Sequence, residues 1–139
     1  MGKKLIIQEK IYTYHIDFVG HVNNIVYIQW LENARVKLLE AIDLPVTDLT
    51  GKHGIFPVLS KTAIRYRKPF FLDDAVTIET WVSKINNASV ELDFSFKNQR
   101  GELCTTSRQT CLFVDHKTMK PLRLTKNFST AFEKYLVPE

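Results

Sequence analysis

The chain has 139 residues, 45% of them apolar and 24% charged, the proportions of an ordinary globular domain rather than a disordered or collagenous one. A net charge of +4 is mild, no run of five basic residues occurs, and no apolar stretch approaches the roughly 20 residues that span a bilayer. The expectation is one domain over residues 1–139, cytoplasmic, with no membrane and no nucleic-acid partner: the amino terminus lacks a signal-peptide apolar core, and Ile6 stands where a myristoylation signal needs Ser or Thr.

Residues 4–13 read as an opening strand. The segment Asp17-Phe18-Val19-Gly20-His21-Val22-Asn23-Asn24 follows, and its two asparagines are good helix N-caps, because a short amide accepts from an orphan N–H of the first turn. From there Tyr27, Leu31, Ala34, Leu38 and Ala41 recur at steps of four and three, with Ile28 and Trp30 widening the stripe. This spacing predicts one amphipathic helix to about Ala41, ended by Asp43 and Pro45, since proline cannot continue the hydrogen-bond ladder. Glu32 and Arg35 are spaced for a helical ion pair, and Tyr27 and Trp30 are expected in the core.

Strands follow. Residues 56–68 carry Phe56, Val58, Leu59, Ile64 and Tyr66 among Arg65, Arg67 and Lys68; Val76 to Val82 and Val90 to Phe96 alternate apolar with polar after Asp73-Asp74 and Asn86-Asn87 respectively. A turn at 98–101 leads to a strand from about Glu102 to Asp115, and a short helix from about Lys126 to Tyr135 closes the chain. Cys104 and Cys111 lie on one strand, seven residues or roughly 23 Å apart, too far to bridge, and are expected to be buried structural thiols. The order of strand, long helix and four strands suits an α+β fold, an antiparallel sheet packed on one long helix.

The chemistry concentrates ahead of that helix. Asp17 is a carboxylate beside helix-start N–H donors, the minimum equipment for attacking a carbonyl and holding the charge that develops on its oxygen. An Asx-turn is the alternative role for Asp17. His21 either moves a proton or orients water and substrate, or it is held by the loop backbone as a structural group. Gly20 permits close backbone approach or simply a positive φ. Asn24 offers its N–H to an oxyanion, while Asn23 reads as a cap. No G-x-S-x-G elbow and no glycine-rich phosphate loop occurs, and His15 and His21 lack a zinc spacing, so neither metal nor cofactor is implied.

The pattern D-x-x-G-H-V-N-N-x-x-Y-x-x-W-x-E-x-A-R, from Asp17 to Arg35, resembles the signature of hotdog-fold acyl thioesterases, in particular the 4-hydroxybenzoyl-CoA thioesterase-like group and, through H-V-N-N, the plant acyl-ACP thioesterases. The resemblance implies a sheet wrapped around the central helix, sites shared between subunits of a homodimer or homotetramer, and hydrolysis of an acyl-CoA or acyl-ACP thioester. It makes Asp17 the catalytic carboxylate, as nucleophile or as base for water, and the Asn24 N–H the group that polarises the carbonyl. His21 matches the acyl-ACP enzymes' histidine, but Val19 stands where they carry Asn. Gly20 and Asn23 are then substrate-side residues, Ser60 and Thr62 are candidates contributed by the opposite subunit, and Arg65, Arg67 and Lys68 are candidates for carrier phosphates, with a solvated strand edge as their alternative role. A noncatalytic module that binds acyl thioesters is the alternative function.

Overall fold

A computed structural model describes residues 2–139. In chain order the elements are β1 (Leu5–Lys10), a 3₁₀ turn at Thr13–His15, α1 (Asn24–Ala41), α2 (Val46–Gly51), β2 (Ile55–Tyr66), β3 (Ala75–Ile85), β4 (Ser89–Lys97), β5 (Leu103–Asp115) and α3 (Lys126–Glu133). All strand pairs are antiparallel, and the sheet runs β1-β3-β4-β5-β2. This is the expected α+β arrangement of one sheet on one long helix. Among the described residues no helix is long and apolar enough to cross a membrane.

Helix α1 starts where the asparagines place it: Asn23 is the N-cap, and its side-chain oxygen accepts from the Ile25 N–H. It ends in a Schellman closure, with the Leu44 N–H on the Leu39 carbonyl, the Asp43 N–H on the Glu40 carbonyl, and Asp43 left-handed at φ 61°. Its buried stripe of Val26, Tyr27, Trp30, Leu31, Ala34, Arg35, Leu38 and Leu39 packs chiefly on β1 and β3. Ile28, expected on that stripe, is exposed instead, because it lies on the helix flank that no strand of this chain covers.

Trp30, Phe70 and Phe96 form an aromatic centre with Tyr27, with ring centroids 5.7 to 6.4 Å apart. Strands β3 and β4 alternate as expected, and Val76, Ile78, Thr80 and Val82 point into the core. Both cysteines are free and buried, and burial pushes their thiols up.

Three features depart from the sequence reading. The opening strand stops at Lys10, because the chain turns so that the Tyr12 N–H meets His15 Nδ1. Helix α2 was not expected: Pro45 ends one helix and also opens the next as its N-cap, with Leu49 buried beneath. Edge strand β2 carries a bulge at Ser60, between Leu59 paired with Cys111 and Lys61 paired with Thr110. Beyond the bulge Thr62, Ile64 and Tyr66 lie on the inner face with Gln109, Ser107 and Thr105, while Lys61, Ala63 and Arg65 lie on the outer face. No residue of β2 is buried.

Candidate active site

The loop ahead of α1 is a tight hairpin. Ile16 bridges Val22, the Asp17 N–H donates to the His21 carbonyl at 2.9 Å, and the Gly20 N–H returns to the Asp17 carbonyl at 3.0 Å. Gly20 makes this turn at φ 84°, a conformation that costs other residues free energy. The base of the hairpin is anchored by the Val22 N–H on the Phe70 carbonyl and the Asn23 N–H on the His15 carbonyl. His15 is itself buried, and its Nδ1 accepts from the Tyr12 N–H at 3.0 Å, which holds the ring in place. His15 thus supports the base of the loop that carries His21.

At the turn, Asp17 Oδ1 accepts from the Val19 N–H at 3.0 Å. The Asx-turn is therefore formed, and it uses one carboxylate oxygen; Oδ2 has no hydrogen-bond partner among the described residues. That oxygen is available to a substrate or a water.

Asp17 opens on a cavity of about 400 Å³. His21 and Asn24 line it from the loop and the helix start, Tyr27 from the second turn of α1, and Tyr66, Arg67 and Lys68 from the end of β2. The Asn24 N–H has no acceptor among the described residues, whereas Asn23 satisfies the Ile25 N–H and its carbonyl takes the Val26 N–H. An orphan donor at the positive end of an 18-residue helix is suited to a developing oxyanion.

The remaining groups set the electrostatics. Burial pushes the Tyr27 phenol up to about 12, partly offset by the Thr105 hydroxyl and the Phe70 backbone, so it stays a neutral donor throughout the neutral range. Burial also raises the Tyr66 phenol. Lys68 is ion-paired with Glu102, and Lys68, Asn98 and Arg100 together hold that carboxyl down at about 2. Arg67 has no acidic partner among the described residues. The His21 ring stands edge-on to Phe71 at 5.1 Å and makes no hydrogen bond to the described residues.

Asp17, His21, Asn24 and Arg67 are thus gathered around one cavity. Gly20 shapes the turn and Asn23 caps the helix without lining it. Ser60 and Thr62 lie elsewhere on the exposed edge strand, Ser60 donating to the Thr110 carbonyl and Thr62 accepting from Gln109 Nε2. Arg65 faces a groove on the outer side of the sheet. Lys68, a candidate for the carrier phosphate, lines the cavity with Arg67, whereas Tyr66 was not singled out as a site residue from the sequence. The available signal for Tyr66 was its alternation with Arg65 and Arg67, which sends an aromatic to the face opposite two cations. Glu32 and Arg35 form the expected pair at 2.5 and 2.7 Å, away from the cavity.

Residues 12–132 match the model of the Thioesterase-like superfamily. The long-chain acyl-CoA thioesterase FadM of Escherichia coli strain K12 is 33% identical over 118 residues, covering 84% of this chain and 88% of that protein. A chloroplastic acyl-acyl carrier protein thioesterase of Arabidopsis thaliana, ATL3, is 24% identical, covering 94% of this chain and 68% of its own length. Among solved structures, the DHNA-CoA thioesterase of Staphylococcus aureus superposes with a TM-score of 0.84 at 26% identity, covering 95% of this chain and 88% of that one.

Proposed function

This chain belongs to the thioesterase-like superfamily, and we propose that it hydrolyses an acyl-CoA or acyl-ACP thioester to a free acid and a thiol. The observation that carries this reading is the placing of a free carboxylate oxygen on Asp17 and an unengaged Asn24 N–H around one cavity. With the thioester carbonyl oxygen on the Asn24 N–H, its carbon is open to attack by Asp17 Oδ2 or by a water that Asp17 deprotonates. In the first route an acyl-aspartyl anhydride forms, the C–S bond breaks, and the thiolate takes a proton; water then releases the acid. In the second route the hydroxide adds directly and the same C–S bond breaks. His21 serves either route as a proton carrier, since its ring is not committed to the loop.

Two copies joined along β2 complete the site in this reading. The strand is a sheet edge without a buried residue, and Ile25, Ile28, Leu59 and Tyr66 beside it are exposed. Ser60 and Thr62 then reach the cavity of the other copy. A thiol-release screen over aliphatic and aromatic acyl-CoAs and acyl-ACPs tests the activity; no thiol release from any of them rejects it. Light scattering with activity measured on dilution tests the assembly, and a fully active monomer rejects it.

A further inference from the structure

We infer that His15 is a positioning residue for the reaction: its imidazole holds the turn from which the Asn24 N–H and the Asp17 carboxylate take their places relative to each other. This rests on the thioesterase reading and supplies the device that aligns its two reacting groups.

The first observation is local. Residues 12–15 are locked by two reciprocal bonds, the His15 N–H donating to the Tyr12 carbonyl at 2.9 Å and the Tyr12 N–H donating back to His15 Nδ1 at 3.0 Å. The side chain that closes a capping box at this third position of a helical turn is ordinarily a glutamate or glutamine, and here it is an imidazole. The ring is also wedged between two elements. It stands edge-on to Tyr14 of the turn at 4.4 Å and to Trp30 of α1 at 5.7 Å, and the residue is 8% exposed. The ring therefore sets how the turn sits against the helix that carries the oxyanion donor. An apolar side chain of the same bulk would fill the space but leave the partly buried Tyr12 N–H without its acceptor.

The second observation is what hangs from this turn. The His15 carbonyl accepts the Asn23 N–H at 2.8 Å, and the Asn23 carbonyl accepts the Val26 N–H at 3.0 Å, so Asn23 is held on both sides. That carbonyl and the Asn24 N–H belong to one planar peptide unit, and the two bonds together aim the donor. The Val26 bond comes with the helix; the other depends on where His15 directs its carbonyl. Asp17 follows His15 by two residues, its N–H on the His21 carbonyl at 2.9 Å, with the Ile16–Val22 bridge between the two rungs. Carboxylate and donor thus stand on opposite strands of one short ladder, and the His15–Asn23 rung joins that ladder to α1. A shift of about 1 Å between reacting groups costs up to about a hundredfold in rate.

His15 lies off the reacting surface. It lines a separate concavity with Glu9, Tyr14 and Trp30, not the cavity of Asp17. Its influence is therefore on kcat rather than on KM.

The test uses His15→Phe and His15→Met, which remove the acceptor and keep bulk, and His15→Gln, which returns an acceptor of the kind a capping box uses. Thiol release is measured where each variant is folded. In the apolar variants kcat should fall about tenfold or more with KM within about twofold of wild type, and His15→Gln should keep kcat within about threefold. The Asn23 amide should exchange with solvent deuterium about tenfold or more faster in the apolar variants than in wild type or His15→Gln, a larger change than at Leu31 in the middle of α1. Wild-type kcat in a folded apolar variant, a kcat in His15→Gln as low as in the apolar pair, or a lowered Tm without loss of kcat overturns the positioning role. Failure of both apolar variants to fold makes His15 a determinant of folding and overturns it too. Exchange needs no turnover: faster exchange at Asn23 in a protein that releases no thiol supports the hold of His15 on the Asn23–Asn24 peptide and rejects only the thioesterase reading, whereas unchanged exchange there overturns the inference.

Discussion

Replacing Asp17 separates the turn it holds from the catalytic role proposed for it, because only one carboxylate oxygen is engaged in the turn. Oδ1 accepts from the Val19 N–H and holds the turn; Oδ2 has no partner among the described residues, and Asp17 lines the cavity. Asn keeps an oxygen for the turn and loses the charge, so Asp17→Asn should stay within about 0.5 kcal/mol of wild-type stability. Asp17→Ala loses the turn bond as well, and since that bond is exposed the cost should be about 0.5–1 kcal/mol. For both variants kcat should fall by about a hundredfold or more, which corresponds to about 2.7 kcal/mol of barrier and exceeds anything the turn bond supplies. Urea unfolding reads the first pair of values and steady-state thiol release reads the second. A folded Asp17→Asn protein with kcat within about fivefold of wild type would refute the reasoning.

Three other outcomes are expected. His21→Asn should lower kcat and remove a pH–rate limb in the histidine range while unfolding as wild type does, because the ring makes no loop hydrogen bond whose loss costs stability; an unchanged pH profile argues against proton transfer. Leu31→Ala, at a site with 0% exposure beneath α1, should cost about 2–5 kcal/mol in chemical denaturation, and a cost below about 1 kcal/mol would contradict the packing described. Glu102, ordinarily at 4.5 and held at about 2 by Lys68, Asn98 and Arg100, stabilises the fold fully above 4.5 and loses that contribution as pH falls toward 2. Glu102→Gln should therefore flatten the fall of Tm across that window, and parallel Tm curves for the two proteins would exclude this coupling.

What was legible in the sequence follows where burial selects residues. Strands β3 and β4 have a helix on one side, so core and solvent sort their residues into visible alternation. The start of α1 was legible because capping is a local matter between Asn23 and Ile25. Strand β2 gave a weaker signal: on its inner face Ile64 is only partly buried against the core while Thr62 and Tyr66 stay exposed, so burial imposes little pattern on the strand. The cavity itself was only half legible. Asp17, His21 and Asn24 are neighbours in sequence, whereas Tyr66 and Lys68 reach them through the pairing of β2 with β5, a long-range contact that no local motif announces. The role of His15 was hidden for the opposite reason, since its partner is a backbone N–H and backbone carries no sequence signature.

The bulge at Ser60 acts as a counting device. Side chains alternate faces, so a segment that slips by one residue exchanges everything it carries between the two sides of the sheet. Ser60 absorbs the odd residue, and because of it Tyr66 lines the cavity beside Asp17 while Arg65 lines the groove on the other face. Deleting Ser60 joins Leu59 to Lys61 without changing the partner of either, Cys111 and Thr110, so shortening the chain there leaves both surfaces in place. Deleting one residue between Lys61 and Tyr66 instead puts a guanidinium where the phenol was and a phenol among the cations. A one-residue deletion in this chain therefore preserves both faces at Ser60 and exchanges them at the next few positions.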